Sequence, residues 1–281
     1  MTSLRAAWEL HSSAGKCLEA FLISMSTHIL VTNSKGGCGK TTVATNLAVG
    51  LQVQGKEVVL WDYDIQGSSI LWSHNRMTAS EENSQIKPLK AVACNSSKPG
   101  KETLSFQRYK YESAPFIIID ATAGKIPDSE LERLIRISDM FIVPAMSSSF
   151  DIKATERFLT GLLTHRLYRS RPRPVGLLEN RSIGGRDNSD GFLSFLACID
   201  IPKIAELKDS PIYQEAADAG LGIAEMGDTR AAQREYKSWK QVLAWVENQG
   251  TEESRKPPRK APRVPGSASS SEEALTKRET G

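Results

Sequence analysis

The chain has 281 residues, of which 40% are hydrophobic and 25% charged, a composition that suits a soluble globular protein and excludes disordered, collagen-like and disulfide-scaffold chains. Thirty-six Lys and Arg against 33 Asp and Glu leave a net charge of +3, so any polyanionic partner has to be met by a local concentration of cations. Cys17, Cys38, Cys94 and Cys198 are scattered with no CxxC pair, which points away from a zinc site or disulfide framework and toward a reducing cytoplasm.

In chain order, residues 1–24 read as an N-terminal extension or an over-extended start. Their apolar run Cys17–Met25 contains Glu19 and is far shorter than the roughly 20 residues a membrane span needs. Residues 25–249 form the predicted folded domain. Residues 250–281, rich in Pro, Ser and mixed charge, read as a disordered tail, because too little apolar surface is available to offset the entropy of ordering. Within the domain, short apolar runs at Ile29–Thr32, Val58–Trp61, Phe116–Ile119, Met140–Val143 and Val175–Leu178 predict strands. Their continuous hydrophobicity suits strands covered on both faces. Helical patterns at Lys40–Gln54, Asp128–Ile137, Phe150–Leu167 and Thr229–Asn248 alternate with them, while Ser80–Ser113 is polar and gives no assignment. The predicted class is α/β, with a mostly parallel, twisted sheet and helices on both faces.

The first predicted strand runs into Ser34-Lys35-Gly36-Gly37-Cys38-Gly39-Lys40-Thr41-Thr42, which opens a helix. Consecutive glycines let backbone N–H groups turn inward around phosphate oxygens, and the helix aims its positive end at the same anion. Gly36, Gly37, Cys38, Gly39, Lys40, Thr41 and Thr42 are thus the candidate nucleotide cradle, with Lys40 against the β/γ-phosphates and the Thr41 hydroxyl on Mg²⁺. Ser34 stands where the ordinary P-loop has its first Gly, so the pattern is K-G-G-x-G-K-T-T. Asp62 and Asp64 follow the second strand in Asp62-Tyr63-Asp64-Ile65-Gln66-Gly67-Ser68-Ser69, and Asp120 ends the third strand, Ile117-Ile118-Ile119-Asp120. Carboxylates at the C-terminal ends of such strands lie where α/β sheets bind ligands.

With Asp139-Met140-Phe141-Ile142-Val143-Pro144 and Leu178-Glu179-Asn180-Arg181, these motifs resemble those of the ParA/MinD family of P-loop ATPases carrying a deviant Walker A box. The likeness covers Met25 to about Val246 and is nearest to the short plasmid-type ParA proteins. The resemblance implies ATP and Mg²⁺ as cofactors. Lys35 would reach the phosphates of a partner subunit in an ATP-bound homodimer, and Asp62 and Asp120 would support Mg²⁺ beside Thr41. Asp64 would orient the attacking water, and Asn180 and the region beginning at Pro211 would contact the base. It further implies a slow, partner-stimulated ATPase that binds nonspecific DNA, is nucleoid-associated in the cytoplasm, works with a ParB-like centromere-binding protein and partitions a plasmid or other replicon. Two departures bear on turnover: Ile65 replaces the customary Pro, and Asp120-Ala121-Thr122-Ala123-Gly124 lacks the two switch prolines. VirC-type DNA-transfer ATPases share the phosphate box, and a nucleotide-gated scaffold that positions a protein cargo is the alternative from another class. An electron carrier of the nitrogenase iron-protein kind would need cluster cysteines, and Cys94 and Cys198 lack the surrounding motifs.

For output, Ala232, Tyr236, Trp239, Leu243 and Val246 recur at helical spacing in the last helix and predict a buried face. Arg230, Arg234, Lys237 and Lys240 fall on another face, the candidate DNA-binding surface. Tail residues Arg255, Lys256, Arg259, Lys260 and Arg263 would add charge without forming a membrane-binding amphipathic helix. His74 and His165 read as surface residues.

Overall fold

The computed structural model describes residues 26–94, 114–122, 124, 126–183, 200–227 and 229–250. The extension 1–24 and the tail beyond 250 lie outside the described residues. Seven strands, β1 (Thr27–Val31), β2 (Val58–Asp62), β3 (Lys90–Ala93), β4 (Phe116–Asp120), β5 (Met140–Ala145), β6 (Val175–Ser182) and β7 (Lys203–Lys208), form one sheet in the order β3-β2-β4-β1-β5-β6-β7. Every pairing is parallel. The helices are α1 (Lys40–Val53), α2 (Ser68–Glu82), α3 (Asp128–Ile137), α4 (Ser149–Thr164), α5 (Arg166–Ser170), α6 (Ile212–Asp218) and α7 (Arg230–Gly250), with a 3₁₀ turn at Ile223–Glu225.

The apolar strands are hydrophobic on both faces because both faces are covered. Ile29, Val31 and Ile118 point into a core shared with α1 and α7, whereas Leu30, Ile117 and Ile119 point into a second core shared with α3, α4 and α5. The strand order changes direction at β1, which lies between β4 and β5. The crevice outside the carboxyl ends of strands at such a point is where open α/β sheets receive ligands.

The structure departs from the sequence reading in particular places. The strands β3 and β7 and the helices α2 and α6 are additional elements. The predicted helix Phe150–Leu167 is divided at His165, whose extended backbone ends α4 and whose Nδ1 caps α5 by accepting from Leu167 N at 3.2 Å. That capping role leaves His165 half-buried, while His74 is exposed as expected.

Candidate nucleotide site

The phosphate loop is the segment from Thr32 to Gly39 that joins β1 to α1. Gly37 and Gly39 adopt left-handed backbone conformations, φ 74° and 92°, which place their N–H groups as a cradle requires. Gly36 does not share that conformation. At Gly39 space also demands glycine, because a Cβ there would lie 2.1 Å from Asn180 Nδ2. The same amide donates to Cys38 O at 2.8 Å, so Asn180, buried at the end of β6, braces the loop from behind. Helix α1 begins directly after Gly39 with no acidic residue in its first turn, leaving its positive end free for an anion.

Lys40 is 6% exposed and its Nζ donates to Lys35 O at 3.0 Å, curled within the cradle that it would share with phosphate. Cys38 Sγ lies 3.9 Å from Lys40 Nζ, and burial pushes its thiol pKa up, so it fills space rather than reacting. Thr42 is half-buried and its carbonyl accepts from Asn46 Nδ2 at 2.9 Å, in the first turn of α1.

The parallel register pairs Asp62 with Asp120 across β2 and β4, which sets both carboxylates at the same height on the ligand side of the sheet. Thr41 Oγ1 and Ser69 Oγ donate to Asp120 Oδ2 at 2.8 and 2.7 Å. Asp120 is fully buried, and desolvation pushes its pKa up to about 7 despite those donors. Its other oxygen, Oδ1, has no hydrogen-bond partner. A buried carboxylate oxygen without a donor, beside a Thr hydroxyl and a second acid, is the donor set a hard divalent cation takes. The residues present therefore fit Mg²⁺ at Thr41, Asp62 and Asp120. Burial also raises the pKa of Asp62, which accepts from the backbone N–H groups of Asp64 and Ile70 at 2.8 and 3.2 Å. Asp64 is half-buried and accepts from Gln66 N at 2.9 Å, the turn that leads into α2.

Lys35 stands at the mouth of the loop, its side chain 40% exposed and paired with Asp151 Oδ1 at 3.0 Å within the same chain. Although partial desolvation works the other way, Ser148 and Lys35 hold the Asp151 pKa below the usual carboxylate range. Asn33 donates to Pro144 O at 2.8 Å and to Thr155 Oγ1 at 2.9 Å, tying the loop to β5 and α4.

The structure thus gathers Lys40, Thr41, Asp62, Asp120 and Asn180 around the cradle. Pro211, by contrast, is exposed at the start of α6 and makes no hydrogen bond to the loop among the described residues. The turn that follows α6 does approach α1, where Ile223 N donates to Asn46 Oδ1 at 2.7 Å. On α7, Arg230, Arg234, Lys237 and Lys240 are exposed while Ala232, Trp239, Leu243 and Val246 are buried.

Sequence reasoning assigned no role to Ser69, Asp151 or Arg76. Ser69 was legible as the last residue of the switch-like motif, and Asp151 as the acid three residues after Ser148. Arg76 gives no signal in sequence, yet it is fully buried on α2. It pairs with both oxygens of Glu225 at 2.9 Å and donates to Gly220 O at 3.1 Å and Gln52 Oε1 at 2.8 Å. These bonds fix α2 against α1 and the 220–225 turn.

A family model described as ParA, NUBPL iron-transfer P-loop NTPase, matches residues 24–99. Over 66 residues the chain is 44% identical to an iron–sulfur cluster carrier protein from Haemophilus influenzae, a match that takes in 22% of this chain and 18% of that protein. It is 27% identical over 233 residues to an iron–sulfur cluster carrier protein from Rickettsia conorii, covering 73% of this chain and 68% of the other. Among solved structures, an ATP complex of a Cyanothece McdA variant aligns with a TM-score of 0.58 at 15% identity, over 78% of this chain and 96% of that one. A plasmid partition protein from Borrelia burgdorferi bound to AMPPNP aligns at 0.56 and 14% identity, over 78% and 99%. At these identities the structural likeness shows the fold. No helix among the described residues is long and apolar enough to cross a membrane.

Proposed function

We propose that the chain is a ParA/MinD-type P-loop NTPase, a Mg²⁺-dependent ATPase whose nucleotide state controls binding to DNA; the family model over residues 24–99 and the shared fold support this reading. The observation that carries the ATPase reading is buried Asp120, whose Oδ2 accepts from Thr41 and Ser69 and whose Oδ1 has no hydrogen-bond partner, set beside Asp62 in the sheet and near Lys40. In this reading the cradle N–H groups and the α1 N-terminus hold the β- and γ-phosphates, and Lys40 neutralises charge that spreads over the γ-oxygens as the terminal phosphoryl group is transferred to water. Thr41, Asp62 and Asp120 would hold Mg²⁺, which would supply positive charge against the phosphates. Asp64 orients the attacking water, and Asn180 keeps the loop in its receptive shape while lying next to the base. The region beginning at Pro211 closes over the base.

Phosphate release by the purified protein tests the chemistry. Wild type turns over ATP slowly in the presence of Mg²⁺, and Asp64→Ala and Asp120→Ala remove that turnover. Turnover unchanged in Asp120→Ala would contradict the assignment.

The output we infer is a homodimer formed on ATP binding, in which Lys35 leaves Asp151 for the partner subunit's phosphates. That dimer coats nucleoid DNA through Arg230, Arg234, Lys237 and Lys240 and releases it when a ParB-like partner stimulates hydrolysis, so moving a plasmid or other replicon. The shared fold with a plasmid partition protein supports this reading.

A second reading comes from the sequence matches to iron–sulfur cluster carriers. Cluster transfer needs accessible thiolates, and the cysteines among the described residues, Cys38 and Cys94, are both buried. Anaerobic reconstitution with iron and sulfide separates the two: stable visible absorbance with stoichiometric iron favours the carrier, and a colourless protein favours the partition switch.

A further inference from the structure

We infer that the edge formed by α4 and α5 is a phosphate-binding surface for duplex DNA, distinct from the α7 face and linked directly to the nucleotide loop. The inference rests on the DNA-binding reading above and adds a location that the motifs do not indicate.

The charge distribution carries the first part of the argument. Residues 153–173 hold six Lys or Arg against one Glu, a net of +5, whereas the whole chain nets +3. Every other residue together therefore carries a net −2, and among the described residues this segment concentrates positive charge more than α7 does. Lys153 and Arg157 stand one turn apart on α4, and Arg166 and Arg169 share a face of α5; all four are exposed and have no side-chain partner among the described residues. Arg136 and Arg171 border them with side chains 59% and 63% exposed, held only by surface ion pairs to Glu132 and Asp139. Residues 230–250 are less cationic, with four Lys or Arg against two Glu. Two of those cations are already engaged, Arg234 with Glu235 at 3.1 Å and Lys240 over the Tyr236 ring at 4.9 Å.

The platform beneath these arginines is rigid. Tyr168 is 1% exposed, packs edge-on against Phe141 and donates to Arg173 O at 2.9 Å. Arg173 is buried in turn and donates to the Ile135 carbonyl at the end of α3. With Tyr168 turned into the core and Leu167 packed against it, α5 offers cations with no apolar side chain between them. A membrane surface rewards inserted apolar groups, and a protein interface is centred on a desolvated apolar or aromatic anchor. Phe150 at the start of α4 is 84% exposed and Glu156 lies among the α4 cations, but the α5 face and its border present arginines without an apolar anchor, which suits phosphate backbones bound through counterion release without reading sequence.

The link to the nucleotide site is physical. The first turn of α4 carries Asp151, which holds Lys35, and its second turn carries Thr155, which accepts from Asn33 at 2.9 Å. The helix that displays Lys153 and Arg157 is therefore fastened to the phosphate loop at two points. When Lys35 leaves Asp151, the start of this helix loses one of them.

The test uses the full chain with Mg-ATP and a random-sequence duplex, with affinity measured across a salt series. Arg166→Glu/Arg169→Glu is expected to weaken binding at least about tenfold and to lower the slope of log K against log salt by about two. Arg166→Lys/Arg169→Lys is expected to keep the slope, and ATP-driven dimer formation is unchanged in both. A wild-type slope in the charge-reversed protein, with wild type binding DNA, overturns this surface and leaves the DNA-binding reading standing. Wild type that ignores the duplex in every nucleotide state overturns both, and binding to phosphatidylglycerol vesicles instead would assign these cations to a membrane.

Discussion

Gly39 is constrained twice over, by a left-handed backbone and by the Asn180 amide that fills the space a side chain would take. Gly39→Ala is expected to abolish nucleotide binding, and adding Asn180→Ala removes the collision but leaves a strain of order 1–3 kcal/mol. Calorimetric titration should show partial recovery in the double variant; full recovery would mean that the backbone conformation is not required. Lys40 makes a different kind of contribution, a buried cation aimed at anionic oxygen. Lys40→Ala is expected to cost about 1.5–3 kcal/mol of ATP binding, roughly 10- to 150-fold in Kd. Lys35→Ala should leave that affinity nearly intact, because its side chain lies at the mouth of the loop against Asp151, while ATP-dependent dimers disappear in light scattering. Persistent dimers would remove its role across the interface.

At the scale of elements, the buried Arg76–Glu225 pair fastens α2 to the turn after α6, with Trp72 Nε1 donating to Leu221 O at 3.2 Å beside it. Arg76→Met leaves Glu225 without its buried partner and is expected to cost about 3–5 kcal/mol, read as a lower urea midpoint. The outer strand pair behaves differently with pH. Hydrogen bonding from Lys208, reinforced by Lys203 and Ser182, holds the Glu206 pKa down to about 2. Because the folded pKa lies below the unfolded one, this stabilisation is complete above about pH 4.5 and disappears as the pH falls toward 2. Glu206→Gln should flatten that part of the acid-unfolding curve, and an unchanged curve would show that the Lys pairs contribute nothing to folding. The same strand pair explains what was legible. The central strands announce themselves as continuous apolar runs because both of their faces are covered, and α1 and α3 follow the predicted spacing. Strands β3 and β7 lie at the sheet edges, where β3 has one buried residue in four and β7 is built around charged Glu206 and its lysines. Helix α2 buries only Ser69, Trp72 and Arg76, two of them polar, so no apolar stripe marks it.

Across the whole molecule, the candidate site stands out in the sequence more than the edges of the fold do, because phosphate and cation chemistry dictate residue types at fixed spacing whereas edge packing does not. Asp62 and Asp120 were visible at strand ends, but only the register shows that they face each other. The partners Asp151, Ser69 and Asn33 were less visible because each acts through a contact distant in sequence. What unites the molecule is a chain of contacts from the phosphate cradle through Lys35 and Asp151 into α4, and from Asp120 through Ser69 into α2. Both helices can sense an occupied site, and both lead away from it toward the surface. The most direct measurement is binding of the purified full chain to a random-sequence duplex without nucleotide, with Mg-ADP and with Mg-ATP, each at two salt concentrations. Tight, salt-sensitive binding only with Mg-ATP is the expected result; binding that ignores nucleotide, or no binding in any state, would contradict an ATP-gated DNA switch.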